Sequence, residues 1–361
     1  MKVAIFGATG VVGHAAAELF GASPGWEVVA VSRRTVDLPG VVHVPIDLAD
    51  QVAASERLHS SAFAGTTHVV FAALQESSDL VGGWRDPAMM AYNLRLFSNA
   101  MGPLVAARGS TLQHVSLLQG AKAYGLHVGR TPIPAKERTP RDSHDNFYFL
   151  QEDALRSLSD GAAWSWTILR PQVVYGDSIG SPMNLLPALG VYAALERERG
   201  HSLSFPGGAP AVQEAVDARL LAQALVWAAG APDAWGQIFN VTNGDVFSWH
   251  DIWPTVCEAF GMEAGDPEPQ CLADTMPPRS NEWAEVVDRY HLCSPRGMSD
   301  FVGGSWLYAD VLLGSRGSRA LPALLSTVKI RRAGFQGCLD TEDMFCDWLV
   351  RFQARRLIPP R

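Results

Sequence analysis

Residues 1–20 read MKVAIFGATGVVGHAAAELF. Lys2–Phe6 is an apolar run of strand length. Gly7-Ala8-Thr9-Gly10-Val11-Val12-Gly13 follows at once, and Ala15–Phe20 is a helix-forming run. Strand, glycine-rich turn, helix is the order that a dinucleotide pyrophosphate site requires. Glycines permit the tight turn and let backbone N–H groups approach phosphate oxygens, and the helix N-terminus adds a favourable dipole. The candidate contacts are Gly7, Thr9, Gly10, Val11, Val12 and Gly13.

The next strand, Trp26–Val31, runs into Ser32-Arg33-Arg34-Thr35. Sites that prefer NAD carry an acidic residue in this region to bind the ribose 2′-hydroxyl. Here a hydroxyl and two guanidinium groups stand instead, which suit a 2′-phosphate. Ser32, Arg33 and Arg34 therefore predict NADPH over NADH, against the plainer reading of a solvated basic turn.

Strand and helix patterns alternate through the first half. Val41–Pro45 is a short strand and Gln51–Ser60 a helix. Thr67–Ala73 reads as a strand buried on both faces, and Pro87–Ala107 as a helix. Thr111–Leu118 is a strand, Asn146–Ser159 a helix and Trp166–Val174 a strand. This alternation predicts an α/β fold, a Rossmann doubly wound parallel sheet with right-handed crossovers, over residues 1–176. Gln237–Val241 looks like one more strand returning to that sheet. Residues 177–361 are expected to form a smaller, mainly helical substrate domain over the carboxyl ends of the strands. Leu185–Glu198 and Trp249–Phe260 read as helices there, and Pro267–Pro278 as loop. Its tryptophans (Trp227, Trp249, Trp253, Trp283, Trp306 and Trp348) read as packing residues rather than a cofactor box.

The chain has 361 residues, 47% of them hydrophobic, enough for one large domain with an appendage or for two domains. The net charge of −8 and the lack of a basic block argue against nucleic acid or an anionic membrane as partner. No apolar run reaches transmembrane length, and the first one is interrupted by glycines as no secretory signal is. The 5 cysteines form no CxxC pair and read as reduced thiols of a cytoplasmic protein. No histidine or cysteine spacing suggests a metal. A homodimer is compatible with the sequence but not readable from it.

Three further stretches carry chemistry. They are Gly120-Ala121-Lys122-Ala123-Tyr124, Asn146-Phe147-Tyr148-Phe149-Leu150-Gln151-Glu152-Asp153, and Arg170-Pro171 with Met183-Asn184 downstream. With them the chain resembles the extended short-chain dehydrogenase/reductases, and within these the progesterone 5β-reductase/iridoid synthase-like group. That group carries Gly-x-Lys-His-Tyr, Asn-Phe-Tyr-Tyr-x-x-Glu-Asp and Arg-Pro stretches. The resemblance implies that Lys122 binds the nicotinamide ribose and lowers the proton affinity of a nearby phenol. It implies that Asp47 and Leu48 contact adenine, although Asp47 also reads as a helix cap. It further implies that Ala73 and Val174 line the cofactor and that Met183 and Asn184 approach the substrate. Arg170 reads equally as a buried anchor or as a substrate contact. The family's active tyrosine is the second of the Tyr-Tyr pair, and that position is Phe149, which cannot donate a proton. Tyr148 points about 100° away from it on a helix, so Tyr148 reads equally as a donor or as a core tyrosine with a satisfied hydroxyl, and Tyr124 is another candidate donor.

The resemblance implies hydride transfer from NADPH to the β-carbon of an α,β-unsaturated carbonyl compound, a small apolar substrate. The intermediate is an enolate whose oxygen needs hydrogen-bond donors. Carbonyl reduction gives a more basic alkoxide and needs a positioned acid. Loss of a phenol at Phe149 therefore favours an enone reductase. A carbonyl reductase using Tyr148 or Tyr124, and a non-catalytic NADP(H)-binding sensor or scaffold, are the alternatives.

Overall fold

Alternation along β1 (Lys2–Phe6) feeds two cores at once. Val3 and Ile5 enter a cluster with Ala16, Ala17 and Phe20. Ala4 and Phe6 enter another with Phe97, Met101 and Val115. Side chains of a strand alternate between faces, so a strand apolar at every position must be covered on both sides. β2 (Glu27–Ser32) behaves the same way: Val28 and Ala30 join the first cluster, Val29 and Val31 the second.

The computed structural model describes every residue except Arg108, Arg130, Asp142 and residues 316–322. The remaining strands are β3 (Val41–Pro45), β4 (His68–Phe71), β5 (His114–Leu118), β6 (Ser165–Pro171) and β7 (Gln237–Val241). All seven run parallel in the order β7-β6-β5-β4-β1-β2-β3. The order reverses between β1 and β4, and the crevice outside the carboxyl ends at such a point is where open α/β sheets bind ligands. Helices α1 (Val11–Ala22) and α5 (Ala218–Gly230) cover one face. Helices α2 (Gln51–Leu58), α3 (Pro87–Ala106) and α4 (Phe147–Ser159) cover the other.

The predicted strands and helices are present, with shifted ends. β4 stops at Phe71 rather than Ala73. Ala72 still donates to the Phe6 carbonyl (3.0 Å), and the chain then turns away beside the glycine turn. β5 starts at His114 rather than Thr111.

Contacts divide the chain into two units. The first comprises Met1–Val174, Val216–Thr242 and Ala323–Cys338, so helix α5 and a later segment return to the sheet along with β7. The second unit is mainly helical. Its helix Leu185–Glu198 is buried along most of its length, and Trp249, Phe247 and Tyr175 pack around Phe345. Trp249, Trp253, Trp283, Trp306 and Trp348 are all buried, as packing residues are. Pro267–Pro278 is not all loop. Leu272–Thr275 is a short helix whose first N–H groups, from Leu272 and Ala273, donate to the buried Asp310 carboxylate (2.7 and 3.2 Å). That cap comes from 38 residues away, beyond the reach of local patterns.

A histidine pair lies at the amino ends of the central strands. His68 and His114 start β4 and β5 and are register partners. Thr167 uses its proton on the Ala234 carbonyl (2.7 Å), so His114 Nε2–H must be the donor in its 2.9 Å contact with Thr167. Burial, helped by the nearby His68, pushes the His114 imidazole down to about 3, and burial lowers His68 as well. The unfolded chain therefore binds protons between about pH 6.5 and 3 that the native state refuses. Stability falls as pH drops through that window, by at most about 1.4 kcal/mol per pH unit for one group. Urea midpoints at pH 7.5 and 5.0 check this: His114→Gln, which keeps a donor, should show a flatter dependence than the unsubstituted protein.

Candidate active site

The turn after β1 is built by close approach. Gly7 has φ +85°, a region that favours glycine, and an added Cβ would lie 2.7 Å from both the Ala72 carbonyl oxygen and the Ala73 nitrogen. A Cβ on Gly13 would meet the Gly7 carbonyl oxygen at 2.2 Å. Gly7 and Ala8 donate to the Val31 carbonyl, and Gly10 donates to Gly7 (2.9 Å). α1 then starts at Val11 with Gly10 as N-cap and no side-chain cap. The leading N–H groups of Val11, Val12 and Gly13 are thus presented without a carboxylate or hydroxyl in the way. Thr9 lies in the turn, and the Ala72–Ala73 backbone passes against it. Such a cradle fits a dinucleotide pyrophosphate.

The carboxyl end of β2 carries Ser32, Arg33 and Arg34. Ser32 is a poorer phosphate ligand than its sequence position suggests. Its hydroxyl donates to the Arg34 carbonyl (2.7 Å) and lies 3.2 Å from His43 Nε2. A hydroxyl has one proton to give. The two guanidinium groups of Arg33 and Arg34 are exposed there, and Arg33 reaches Gln75 (3.2 Å). After β3, Asp47 is exposed and accepts from the Ala49 N–H (2.9 Å). The cap of α2 is Asp50, not Asp47. Leu48 is buried, its carbonyl taken by Asn99 (2.8 Å).

Lys122 sits in a 3-10 turn, Ala121–Tyr124, just beyond β5. Its ammonium lies 3.3 Å from Glu76 and 4.3 Å from the centre of the Trp84 ring. Neither residue was singled out in the sequence. Burial pushes the Lys122 ammonium below its ordinary range and the Glu76 carboxyl above its own, and their mutual attraction opposes both shifts.

α4 begins at Asn146, whose side-chain oxygen accepts from the Tyr148 N–H (3.0 Å) while its Nδ2 donates to the Lys122 carbonyl (2.8 Å). A Cβ added at Gly120 would lie 3.2 Å from the Tyr148 hydroxyl oxygen, so the phenol occupies the space that a glycine clears, two residues before Lys122. Phe149 shares a buried cluster with Tyr148, Phe147, Ala123 and Met90. Its ring packs at 5.3 Å from His144 and lies under the Arg141 guanidinium at 4.9 Å. Tyr124 is spent elsewhere: buried beneath Arg170, it donates to the Asn240 side chain (2.6 Å).

Arg170 is a buried anchor. It donates to Gln119 (2.8 Å) and to Glu152 (3.1 Å), and Gln119 in turn donates to the Tyr148 carbonyl (2.9 Å). The Asn146–Asp153 motif thus has a physical meaning. Asn146 caps the helix, Gln151 donates to the Asn93 carbonyl (3.0 Å), and Glu152 takes the charge of Arg170. Asn93 clamps the Gln75 backbone from both sides, at 2.9 and 3.0 Å, and so holds the loop that carries Glu76. His127 and His144 form a ring pair at 5.2 Å beside this cluster, each with a buried Nδ1 that has no hydrogen-bond partner.

Val174 packs against Val11 and Ala15 at the start of α1. Met183 and Asn184 belong to the second unit. Asn184 is fully buried and caps the helix Leu185–Glu198. Its side chain accepts from Leu186 and donates to the carbonyls of Gly176 and Ser178. Both amide hydrogens of Asn184 are thus committed to backbone carbonyls, and its oxygen accepts from the helix it caps. Met183, half-buried, precedes the cap. Among the described residues no cluster of histidine, cysteine and acidic side chains could hold a metal ion, and no helix is long and apolar enough to cross a membrane.

Comparison with known proteins agrees with this construction. Residues 62–314 match the model of the PRISE-like Rossmann-fold domain. The chain is 30% identical to an (S)-8-oxocitronellyl enol synthase of Nepeta racemosa, over 98% of this chain and 92% of that protein. It is also 30% identical to a 3-oxo-Delta(4,5)-steroid 5-beta-reductase of Arabidopsis thaliana, over 98% of this chain and 92% of that one. Among solved structures, a UDP-glucose 4-epimerase of Thermotoga maritima shares the fold with a TM-score of 0.69 at 15% identity, covering 98% of this chain and 99% of that chain. The match runs through the loop of Glu76, the Lys122 turn and the Asn146–Asp153 helix, and the chain belongs to the PRISE-like Rossmann-fold family of extended short-chain dehydrogenase/reductases.

Proposed function

We propose that the chain is an NADPH-dependent oxidoreductase that reduces the carbon–carbon double bond of α,β-unsaturated carbonyl compounds. The observation that carries this reading is the Tyr148 hydroxyl lying against Gly120, which precedes Lys122 by two positions in the chain. The names of the relatives, an enol synthase and a Δ4,5-steroid 5β-reductase, agree with it.

The bound dihydronicotinamide supplies a hydride. The glycine turn and the N-terminus of α1 hold the pyrophosphate, and Arg33 and Arg34 favour a 2′-phosphate through charge-assisted hydrogen bonds. Lys122 binds the ribose and carries positive charge on the turn that Asn146 ties to the start of α4. The Tyr148 O–H donates to the substrate's carbonyl oxygen as negative charge gathers there, and the enolate α-carbon takes its proton from water. Phe149 packs against His144 and Arg141 and has no proton to give.

Tyr148 also makes carbonyl reduction chemically feasible, because a positioned acid is what an alkoxide needs. A panel of enals, enones and saturated ketones with NADPH separates the two. Turnover of enals or enones supports the proposal, and activity on ketones alone overturns it. Tyr148→Phe should lower kcat on the preferred enone by about 10²–10³-fold with little change in NADPH affinity. Tyr124→Phe should cost about 1 kcal/mol of stability and leave kcat nearly unchanged. The reverse pattern would assign the acid to Tyr124.

Cofactor choice is tested separately. Replacing Arg33 and Arg34 together by alanine should weaken NADPH binding by about 10–100-fold, the loss of one or two charge-assisted hydrogen bonds, and leave NADH nearly unaffected. Equal effects on the two cofactors in a titration would contradict the 2′-phosphate assignment.

A further inference from the structure

We infer that Glu76 and Trp84 are positioning residues for Lys122, holding its ammonium in place and in its charged form in a largely buried position. The inference rests on the reading of Lys122 as the ammonium of the active site, and extends it to two residues on the loop after β4.

The geometry is a three-way clasp. The Glu76 Oε1 atom lies 3.3 Å from Lys122 Nζ, and the Trp84 ring centre lies 4.3 Å from the same nitrogen. Trp84 Nε1–H donates to the other carboxylate oxygen, Oε2, at 3.1 Å. One indole therefore does two jobs, presenting its electron-rich face to the cation and its N–H to the anion. The Glu76 side chain is 5% exposed and that of Lys122 is 14% exposed, so neither charge has bulk water to fall back on. A buried ammonium without a partner gives up its proton, and a buried carboxylate without one takes a proton.

The clasp is itself braced. Asn93 holds the Gln75 backbone next to Glu76, and Gln151 of α4 holds the Asn93 carbonyl. Arg85, next to Trp84, donates to the His127 carbonyl (2.6 Å). The groups around Lys122 are thus Glu76 in direct contact, His127 close enough to feel its charge, and Arg85 and His144 beyond His127. Burial, with help from those neighbouring groups, pushes His127 down to about 4, so at neutral pH it adds no positive charge. Of these groups, Glu76 alone holds the ammonium charged by attraction.

This gives Glu76 a role that a purely structural residue would not have. With a neutral residue at 76, Lys122 still sits in its turn but loses its proton at lower pH. It then holds the ribose and supports the Tyr148 phenol only under more acidic conditions.

Competitive acylation with acetic anhydride, read by mass spectrometry across pH, tests this without cofactor or substrate. The chain has only four lysines, so Lys2, Lys136 and Lys329 serve as internal references. Glu76→Gln should shift the Lys122 labelling midpoint to lower pH and raise its labelling about tenfold at pH 8, with the reference lysines unchanged. Trp84→Phe keeps a ring face but loses the N–H that orients the carboxylate, and should move Lys122 the same way by less. It carries the test alone if Glu76→Gln does not fold. Lys122 labelling that matches the unsubstituted protein in a folded variant overturns the inference. The pH profile of kcat/KM supplies the link to catalysis: its alkaline limb should move to lower pH in Glu76→Gln. A labelling shift with no reduction of any unsaturated carbonyl compound would retire the proposed function and leave the clasp standing.

Discussion

A guanidinium and a carboxylate, both out of water, hold the reactive segments in register. Arg170 on β6 and Glu152 on α4 each have side chains 5% exposed, and their contact is 3.1 Å. Removing one partner of such a pair strands the other charge, which is far costlier than the net value of the pair. Their position explains why they are paired there. Arg170 also fixes Gln119, Gln119 fixes the carbonyl of Tyr148, and Asn146 at the head of the same helix fixes the carbonyl of Lys122. The two groups assigned to the chemistry come from different elements, one on a turn and one on a helix. The buried pair and its amide neighbours convert that separation into a defined geometry, which is what preorganised stabilisation of charge demands.

The charged groups of the site form a graded set. Glu152 gathers Arg170, Arg156 and Arg141 on the outer side of α4. Glu76 serves Lys122 alone on the inner side. One carboxylate thus serves three cations and another serves one, and Met90, Ala123 and Phe147 form a buried apolar cluster with Tyr148 and Phe149. Low dielectric strengthens each contact and makes each unpaired group expensive.

Much of this was legible in the residues themselves, for identifiable reasons. The glycine turn was readable because a close backbone approach leaves only glycine as a solution, and the sheet because strands buried on both faces are apolar at every position. What escaped was set by contacts distant in sequence. The direction of the Tyr148 and Phe149 side chains depends on where Asn146 starts the helix, and that start puts the Tyr148 hydroxyl against Gly120. Ser32 and Asn184 carry groups that suit a ligand, yet their hydrogen bonds go to Arg34 and to Gly176 and Ser178. Glu76 and Trp84 lie in a stretch with no periodic pattern. Their meaning comes only from a lysine 46 residues further on.

The late return of β7 has a consequence for how the chain is made. β7 pairs with β6, yet 66 residues separate Pro171 from Gln237. At cellular rates of synthesis that interval lasts about 3–13 s. Throughout it β6, with Ile168 and Leu169 that end fully buried, has an unsatisfied ladder of backbone groups along one side. A nascent chain in that state is a template for pairing with a neighbour on the same polysome. The time spent with an open sheet margin is a kinetic exposure separate from the stability of the finished fold.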